Sequence, residues 1–309
     1  MKKAILFSGQ GAQYPGMGKD LYDHYKVVRD VFNTAHQVLG RDIAALCFEG
    51  SQEELDLTHN TQVCMLAVDV AAGFVLRSEG IQADCAAGFS LGEYAALVYA
   101  GAIALEDAFR VVQLRADAMQ EAVPVGYGGM AALMGANGVK AEEICAKVTE
   151  GYVVAANYNS PVQTVISGSL EGVNAAITIA QEIDVKAIRL AVSAPFHCKL
   201  MEPAAICVDE ALKTIKICKP VLPVFFNVTG NVMDENDNVA ELLVRQAMSP
   251  VRWVDTLENM RSAGVTNFIE CGAGKTLWGL TRKTLKDVTA MKAVDYRSVC
   301  ETVTKLSGD

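Results

Sequence analysis

Residues 88–92 read Gly-Phe-Ser-Leu-Gly and fit the pattern G-x-S-x-G. A short apolar run at 83–87 precedes them, and a stretch that can form a helix follows at 91–100. Where a strand turns sharply into a helix, small glycines permit the turn and leave the serine exposed at the strand end. The first N–H groups of the helix then face any oxyanion formed there. The pattern predicts Ser90 as a nucleophile, with a plain tight turn as the alternative.

A nucleophilic serine needs a general base, and histidine serves most often. His197 lies just after a predicted strand and just before a predicted helix. The other histidines fall on an amphipathic helix or in a polar loop, where solvent exposure is expected: His24, His36 and His59. His197 is therefore the predicted base, with an ordinary loop histidine as the alternative.

No acid completes a simple hydrolase triad. The α/β-hydrolase order requires an acid between the serine and the histidine. The candidates in that interval fit helix surfaces or a helix–strand loop: Asp107, Asp117 and Asp184. A triad of serine, histidine and carboxylate is therefore not supported.

Two glycine motifs for phosphate binding are incomplete. Gly9 and Gly11 follow a predicted strand, but the third glycine of a dinucleotide fingerprint is replaced by Tyr14. The segment 274–276 ends like a phosphate-binding loop, but the required earlier glycine is replaced by Ile269. Neither motif predicts a nucleotide site.

The nine cysteines include no C-x-x-C pair, and no histidine lies at zinc-finger spacing from a cysteine pair. We therefore expect reduced, mostly buried thiols and no metal site. The net charge of −9 argues against a nucleic-acid partner. The most apolar stretch, 63–76, is interrupted by Asp69 and is shorter than a bilayer requires. With no signal-peptide pattern at the start, we expect a cytoplasmic protein that binds no membrane.

Short apolar runs typical of buried strands alternate with helical stretches along most of the chain. The runs are 4–7, 83–87, 221–227 and 267–272, and the helical stretches include 19–39, 61–77 and 106–122. This alternation predicts a parallel sheet covered by helices on both faces. Between 126 and 196 the predicted order becomes β-α-β-β-α-β, the ferredoxin-like arrangement. We therefore predict a large α/β-hydrolase-like domain, 1–125 and 197–309, with a small ferredoxin-like α+β domain inserted at 126–196.

Six motifs occur in a fixed order over nearly the whole chain. They are FSGQGAQYPGMG at 7–18, GFSLGEYAAL at 88–97, QLR at 113–115, NYNSPVQTVISG at 157–168, SAPFH at 193–197 and LLVRQAMSPVRW at 242–253. In these motifs the chain resembles the malonyl-CoA:acyl-carrier-protein transacylases and the related acyltransferase domains of polyketide synthases. The resemblance implies transfer of a malonyl group from malonyl-CoA to the phosphopantetheine thiol of an acyl-carrier protein. It implies a ping-pong mechanism through acyl-Ser90 and no cofactor.

The resemblance also implies roles for individual residues. Ser90 would attack the thioester, and His197 would move the proton. A main-chain carbonyl near Gln246 would orient the histidine in place of a carboxylate. The backbone N–H groups of Gln10 and Leu91 would form the oxyanion hole.

Two further side chains are expected to select the acyl group. Arg115 would hold the malonyl carboxylate, because a guanidinium matches a carboxylate with two parallel hydrogen bonds. Without the resemblance, a surface position on an amphipathic helix is the favoured interpretation of Arg115. Phe196 resembles the bulky residue of malonyl-selective members, where it would crowd an α-methyl group.

The chain departs from the family pattern at two positions. Phe89 stands where histidine is more common, and Ser8 stands where proline is common. We expect Phe89 to affect rate or substrate tolerance and to leave the reaction type unchanged.

Basic side chains that could contact a carrier protein or the phosphates of CoA are Lys186, Arg189, Lys275, Arg282 and Lys283. The expected working unit is a monomer. A thioesterase using the same serine and a non-catalytic carrier-docking module are the alternative functions.

Overall fold

The computed structural model describes residues 1–192 and 194–307; Ser193, which belongs to the motif at 193–197, lies outside the described residues, as do the last two residues. The strands are β1 (Lys2–Phe7), β2 (Cys85–Gly88), β3 (Gly128–Met134), β4 (Val153–Ser160), β5 (Gln163–Ser169), β6 (Lys186–Arg189), β7 (Val224–Phe226), β8 (Asn231–Val232), β9 (Val265–Cys271) and β10 (Thr289–Ala293).

The helices in the first half of the chain are α1 (Lys19–His24), α2 (Lys26–Leu39), α3 (Ile43–Glu49), α4 (Gln52–Asp56), α5 (Thr58–Ser78), α6 (Gly92–Tyr99), α7 (Leu105–Glu121) and α8 (Gly138–Ala146). Those in the second half are α9 (Leu170–Glu182), α10 (Glu202–Lys213), α11 (Val239–Met248), α12 (Trp253–Ser262), α13 (Thr276–Thr284) and α14 (Tyr296–Ser307). A short 3₁₀ helix, Lys199–Met201, precedes α10.

The larger sheet has six strands in the order β10-β9-β1-β2-β7-β8. All neighbours pair in parallel except β7 and β8, which are antiparallel. Side chains alternate across the sheet, so Ile5 and Phe7 of β1 join one apolar cluster while Ala4 and Leu6 join another. Burial on both faces explains why β1 is apolar at consecutive positions.

Helix α5 lies within the larger of these clusters. It begins at Thr58 and so extends the predicted 61–77 helix at its start. By length and composition alone it could cross a membrane, but 83% of its most apolar window is buried inside the protein. A core helix of a folded domain has this same composition.

The smaller sheet has four antiparallel strands in the order β4-β5-β3-β6. Helices α8 and α9 pack against this sheet, with Leu133, Ile144 and Val173 in the shared core. Numbered within the unit, the strand order is 2-3-1-4, which is the ferredoxin-like order. The predicted fold class, a mainly parallel α/β sheet with a ferredoxin-like α+β unit, is confirmed. The domain limits at residues 125, 126, 196 and 197 remain a prediction.

One predicted helix is interrupted. The pattern predicted a single helix over 19–39, whereas α1 and α2 are separated at Tyr25, whose backbone is extended with φ −120° and ψ 127°. The Tyr25 ring lies 6.0 Å from that of Tyr296, between ring centroids. This contact with α14 is distant in sequence, so local periodicity does not reveal it.

Asp69 is a carboxyl in the middle of helix α5. It is fully buried, and neither of its oxygens has a well-formed hydrogen bond within the described residues. Burial, and then the nearby carboxyl of Glu270, raise the pKa of Asp69 well above its usual 3.8, while the backbone N–H of Ala273 offsets this only in part. The folded protein therefore favours the protonated form.

This burial makes stability depend on pH. As pH rises above the usual pKa of an aspartate, the unfolded chain loses the Asp69 proton while the folded chain keeps it. The free energy of unfolding should then fall by about 1.4 kcal/mol per pH unit from this group, until the folded pKa is reached. Asp69→Asn should remove that slope in denaturant titrations between pH 4.5 and 7. Asp287→Asn, at an exposed position, is the control and should keep it; equal slopes in Asp69→Asn and the unaltered chain would refute the assignment.

Candidate active site

The turn between β2 and α6 places Ser90 at the carboxyl end of a central strand. Ser90 has φ 53°, in the left-handed region that non-glycine residues rarely adopt. A Cβ at Gly88 would lie 1.8 Å from the backbone carbon of Gly92, and one at Gly92 would lie 2.3 Å from the oxygen of Phe7. Only glycine fits at these two positions. The strand–turn–helix context of G-x-S-x-G is therefore present.

His197 faces this serine, although the two are 107 residues apart in the chain. Its Nε2 lies 2.8 Å from the Oγ of Ser90. Its Nδ1 lies 3.0 Å from the carbonyl oxygen of Gln246 and 3.2 Å from that of Ser249. Because carbonyl oxygens only accept, Nδ1 carries the proton and Nε2 is free to accept from the serine hydroxyl. Main-chain carbonyls therefore orient the imidazole where a triad would use a carboxylate.

The electrostatic surroundings keep this imidazole neutral. Burial, and then the positive charge of Arg115, lower the pKa of His197 to about 4, against the opposing effect of the two carbonyl hydrogen bonds. At neutral pH the ring is therefore neutral, with a proton on Nδ1 and none on Nε2, which is the form required of a general base.

Arg115 is a buried cation in helix α7, with 1% of its surface exposed. Its Nη1 donates to the Oε1 of Gln62 at 2.6 Å, and its Nη2 donates to the Oε1 of Gln246 at 3.0 Å. The same Nη2 lies 3.3 Å from the Oγ of Ser90. The guanidinium also lies 5.5 Å from the ring centre of Tyr94. All these partners are neutral.

Arg115 forms no ion pair with a carboxylate among the described residues. Glu93 is the carboxyl whose charge acts on it. Burial raises the pKa of Glu93 to about 8, against a backbone hydrogen bond and the charge of Arg115 that both favour ionisation. Because burial favours the protonated form of Glu93, this carboxyl offsets the charge of Arg115 less than an exposed carboxylate would.

Gln10 and Leu91 are the predicted oxyanion-hole residues. Both residues line the same cavity as Ser90, and neither N–H has a hydrogen-bond partner within the part of the chain that the structure describes. Gly9 brings the two segments together, since a Cβ there would lie 2.5 Å from the oxygen of Phe89. The role of these two N–H groups as an oxyanion hole stays a prediction.

The cavity has a volume of about 420 Å³. Six predicted site residues line it: Gln10, Ser90, Leu91, Arg115, Phe196 and His197. Apolar side chains from α7, from β3 and β5 and from the segment after β6 complete the wall: Met119, Met130, Val165, Leu190 and Val192. Gln246, the seventh predicted residue, is fully buried behind the wall. None of the five predicted basic contacts lines the cavity, although Lys275 directly precedes its Thr276.

Sequence reasoning missed two contacts of the site. Gln62, in α5, accepts a hydrogen bond from Arg115. Its only sequence signal is that a polar residue stands directly before the apolar run 63–68. The side chain of Gln246 has a role beyond its carbonyl, because its Nε2 donates to the backbone oxygen of Ser90 at 2.6 Å. Gln246 thus connects the serine, the histidine and the arginine.

Phe89 and Ser8, the two residues that depart from the family pattern, each make a defined contact in the structure. The ring of Phe89 packs edge-on against Trp253, with centroids 5.4 Å apart. The hydroxyl of Ser8 donates to the carbonyls of Ala273 at 3.1 Å and Cys271 at 3.2 Å. Neither residue disturbs the serine–histidine pair.

The charge of Arg115 should be measurable through His197. Arg115→Gln removes the positive charge and leaves the imidazole buried, so the pKa of His197 should rise from about 4 towards its usual 6.5. NMR titration of the ring signals measures it, with His197→Asn identifying the resonance. Arg110→Gln, on the exposed face of the same helix, is the control and should leave the pKa in place. An unchanged pKa in Arg115→Gln would mean that the guanidinium does not act on the base.

Comparison with known proteins gives a consistent result. The family model described as acyl transferase domain matches residues 5–307. A malonyl CoA-acyl carrier protein transacylase of Bacillus subtilis is 42% identical over 301 residues, covering 96% of this chain and 95% of the relative. That of Escherichia coli K12 is 41% identical over 290 residues, covering 93% and 94%.

Solved structures agree with the sequence relatives. The malonyl CoA-acyl carrier protein transacylase of Clostridium perfringens superposes with a TM-score of 0.97 at 40% identity, covering 100% of this chain and 98% of the other. A malonyl-transacylase in complex with a type II polyketide acyl-carrier protein superposes with a TM-score of 0.95 at 38% identity, covering 99% and 100%. The chain therefore belongs to the acyl transferase family and, within it, to the malonyl CoA-acyl carrier protein transacylases.

Proposed function

We propose that this chain transfers a malonyl group from malonyl-CoA to the phosphopantetheine thiol of an acyl-carrier protein, through an acyl-Ser90 intermediate. The observation that carries the proposal is the buried guanidinium of Arg115, whose Nη2 lies 3.3 Å from the nucleophilic oxygen and which has only neutral partners. A buried cation is unfavourable until an anion pairs with it. The carboxylate of a malonyl group attached at Ser90 would supply that anion.

The first half-reaction acylates the serine. Nε2 of His197 takes the hydroxyl proton as Oγ of Ser90 attacks the thioester carbonyl. The oxyanion that forms accepts hydrogen bonds from the backbone N–H groups of Gln10 and Leu91. The carbon–sulfur bond then breaks, the CoA sulfur takes the proton from His197, and CoA leaves.

The second half-reaction reverses the roles. The carrier thiol gives its proton to His197 and attacks the ester carbonyl of acyl-Ser90. The bond between the acyl carbon and Oγ breaks, and the serine recovers the proton from His197. Because the pKa of His197 in the free chain is about 4, the neutral base is populated at the start of the first half-reaction.

Acyl selectivity would come from two side chains on the cavity wall. Arg115 can hold a carboxylate with two parallel hydrogen bonds, whereas an acetyl group leaves the buried cation unpaired. That loss is about 2–5 kcal/mol. Phe196 would crowd an α-methyl group, at about 1–3 kcal/mol for one methyl.

We further infer a monomer that works in the cytoplasm without a metal or organic cofactor, a membrane or a nucleic acid. The net charge of −9 supports the absence of a nucleic-acid partner, and the burial of α5 in the core supports the absence of a membrane span. Because carrier proteins are themselves usually acidic, docking requires a local basic surface. Lys186, Arg189, Lys275, Arg282 and Lys283 are the proposed contributors.

Intact-mass spectrometry tests the intermediate. Malonyl-CoA should add about 86 Da, one malonyl group, to the unaltered chain and nothing to Ser90→Ala. His197→Ala should slow acylation by at least about a hundredfold. Addition of holo-carrier protein should then move the mass from the enzyme to the carrier. Release of free malonate in preference to transfer would indicate a thioesterase, and absence of any adduct would indicate a docking module.

Acyl selectivity tests the proposed role of Arg115. Arg115→Ala should lower kcat/KM for malonyl-CoA by about thirtyfold or more while sparing acetyl-CoA, because only the malonyl carboxylate loses its partner. Arg110→Ala, on the solvent side of helix α7, should change neither value. An equal loss for both acyl groups would show that Arg115 supports the fold and does not bind the carboxylate.

A further inference from the structure

Asn227 lies directly after β7, next to the carboxyl end of β2 in the parallel sheet. It is fully buried, and its side chain points at the turn that carries Ser90. Its Oδ1 accepts from the backbone N–H of Ser90 at 2.6 Å, and its Nδ2 donates to the backbone oxygen of Gly88 at 2.7 Å. One amide therefore spans the turn from the last strand residue to the nucleophile.

The backbone of Asn227 is itself held. Its N–H donates to the Oε2 of Glu93 at 2.6 Å, and its carbonyl accepts from the N–H of Arg252 at 2.9 Å. Glu93 lies three residues after the serine, in the first turn of α6. Asn227 is thus linked twice to the segment that carries the nucleophile. Its side chain holds the Ser90 turn, and its backbone N–H holds Glu93 of α6.

These contacts act on a strained backbone. The left-handed conformation of Ser90, with φ 53°, is unfavourable for a non-glycine residue and persists only where the surroundings determine it. Asn227 fixes the peptide unit before Ser90, and the Nε2 of Gln246 fixes the carbonyl after it, at 2.6 Å. The N–H of Ser90 donates to Asn227 and cannot also serve a ligand. The next residue, Leu91, lines the cavity, and its N–H has no such partner among the described residues.

We propose that Asn227 is a positioning residue that holds the Ser90 turn so that the serine hydroxyl reaches His197 and the Leu91 N–H faces the cavity. Glu93 anchors Asn227 in this role. The inference rests on the proposed acylation of Ser90. In this role Asn227 does not contact the substrate. Its loss should therefore lower the rate of acylation and leave the affinity for the thioester unchanged.

The first test compares rate with binding. Asn227→Ala should slow single-turnover acylation by malonyl-CoA about a hundredfold, the order expected when reacting groups are misplaced by about 1 Å. The dissociation constant for malonyl-CoA, measured in a Ser90→Ala background with and without Asn227→Ala, should be unchanged. Asn267→Ala, which removes a buried asparagine from β9 away from the cavity, is the matched control and should acylate at the normal rate.

The second test uses a substitution that restores the amide pattern only when protonated. In Asn227→Asp, a protonated carboxyl can accept from Ser90 N–H and donate to Gly88 oxygen, whereas a carboxylate repels that oxygen. The acylation rate of Asn227→Asp relative to Asn227→Ala should therefore rise as pH falls from 8 to 5. His197, whose pKa is about 4, stays largely neutral across this range in both variants. Glu93 is the neighbouring titratable group, and Arg115 is the charge acting on Glu93.

The outcomes are separable. Failure of the unaltered chain to form acyl-Ser90 would remove the proposed function on which the inference rests. If the unaltered chain acylates, three results would overturn the role of Asn227: a normal rate in Asn227→Ala, an equal loss in Asn267→Ala, or an aspartate variant that matches the alanine variant at every pH.

Discussion

The charge of Arg115, buried and paired only with neutral groups, is the constraint on which the rest of the site depends. Its guanidinium is held by two glutamine oxygens and touches the oxygen of Ser90. The same charge helps to keep His197 neutral. Glu93 does not cancel it, because burial favours the protonated form of that carboxyl. The folded protein thus maintains, next to its nucleophile, a positive charge that an acyl carboxylate can neutralise.

The base is oriented by main-chain carbonyls from the end of α11 and the residue that follows it. Neutral acceptors fix the direction of the ring and leave the basicity of Nε2 to burial and to Arg115. A carboxylate in their place would stabilise the protonated imidazole and raise its pKa. The absence of an acid in the expected sequence interval therefore matches a site built around a weak, permanently available base.

The sequence revealed those parts of the site that obey local rules. Ser90 could be predicted because the two flanking glycines are required by backbone contacts, and the strand–turn–helix pattern was visible around them. His197 could be predicted because the other histidines fell on surfaces. Gln246 entered only through the family resemblance, since its carbonyl acts from 49 residues away.

The remaining contacts could not be predicted from local patterns. Gln62 meets Arg115 across 53 residues, and Asn227 meets Ser90 across 137. The polar position of Gln62 before an apolar run does not identify its partner, and nothing in the local sequence marks Asn227, since a buried amide and an exposed one have the same letter. The break at Tyr25 was equally hidden from local patterns, and the ring of Tyr25 lies against Tyr296 from the last helix of the chain. The fold class was accessible because strand and helix periodicities are local, whereas polar contacts depend on how the two sheets are assembled.

The two sheets contribute different kinds of residue to the cavity wall. Ser90 follows a strand of the larger sheet, whereas Met130 and Val165 come from β3 and β5 of the smaller one. Substitutions on those two strands can therefore widen or narrow the room for an acyl chain while the 2.8 Å contact between Ser90 and His197 stays intact. Part of the cavity wall thus comes from strands that carry neither Ser90 nor His197, so related chains can vary at those positions while keeping the serine–histidine pair.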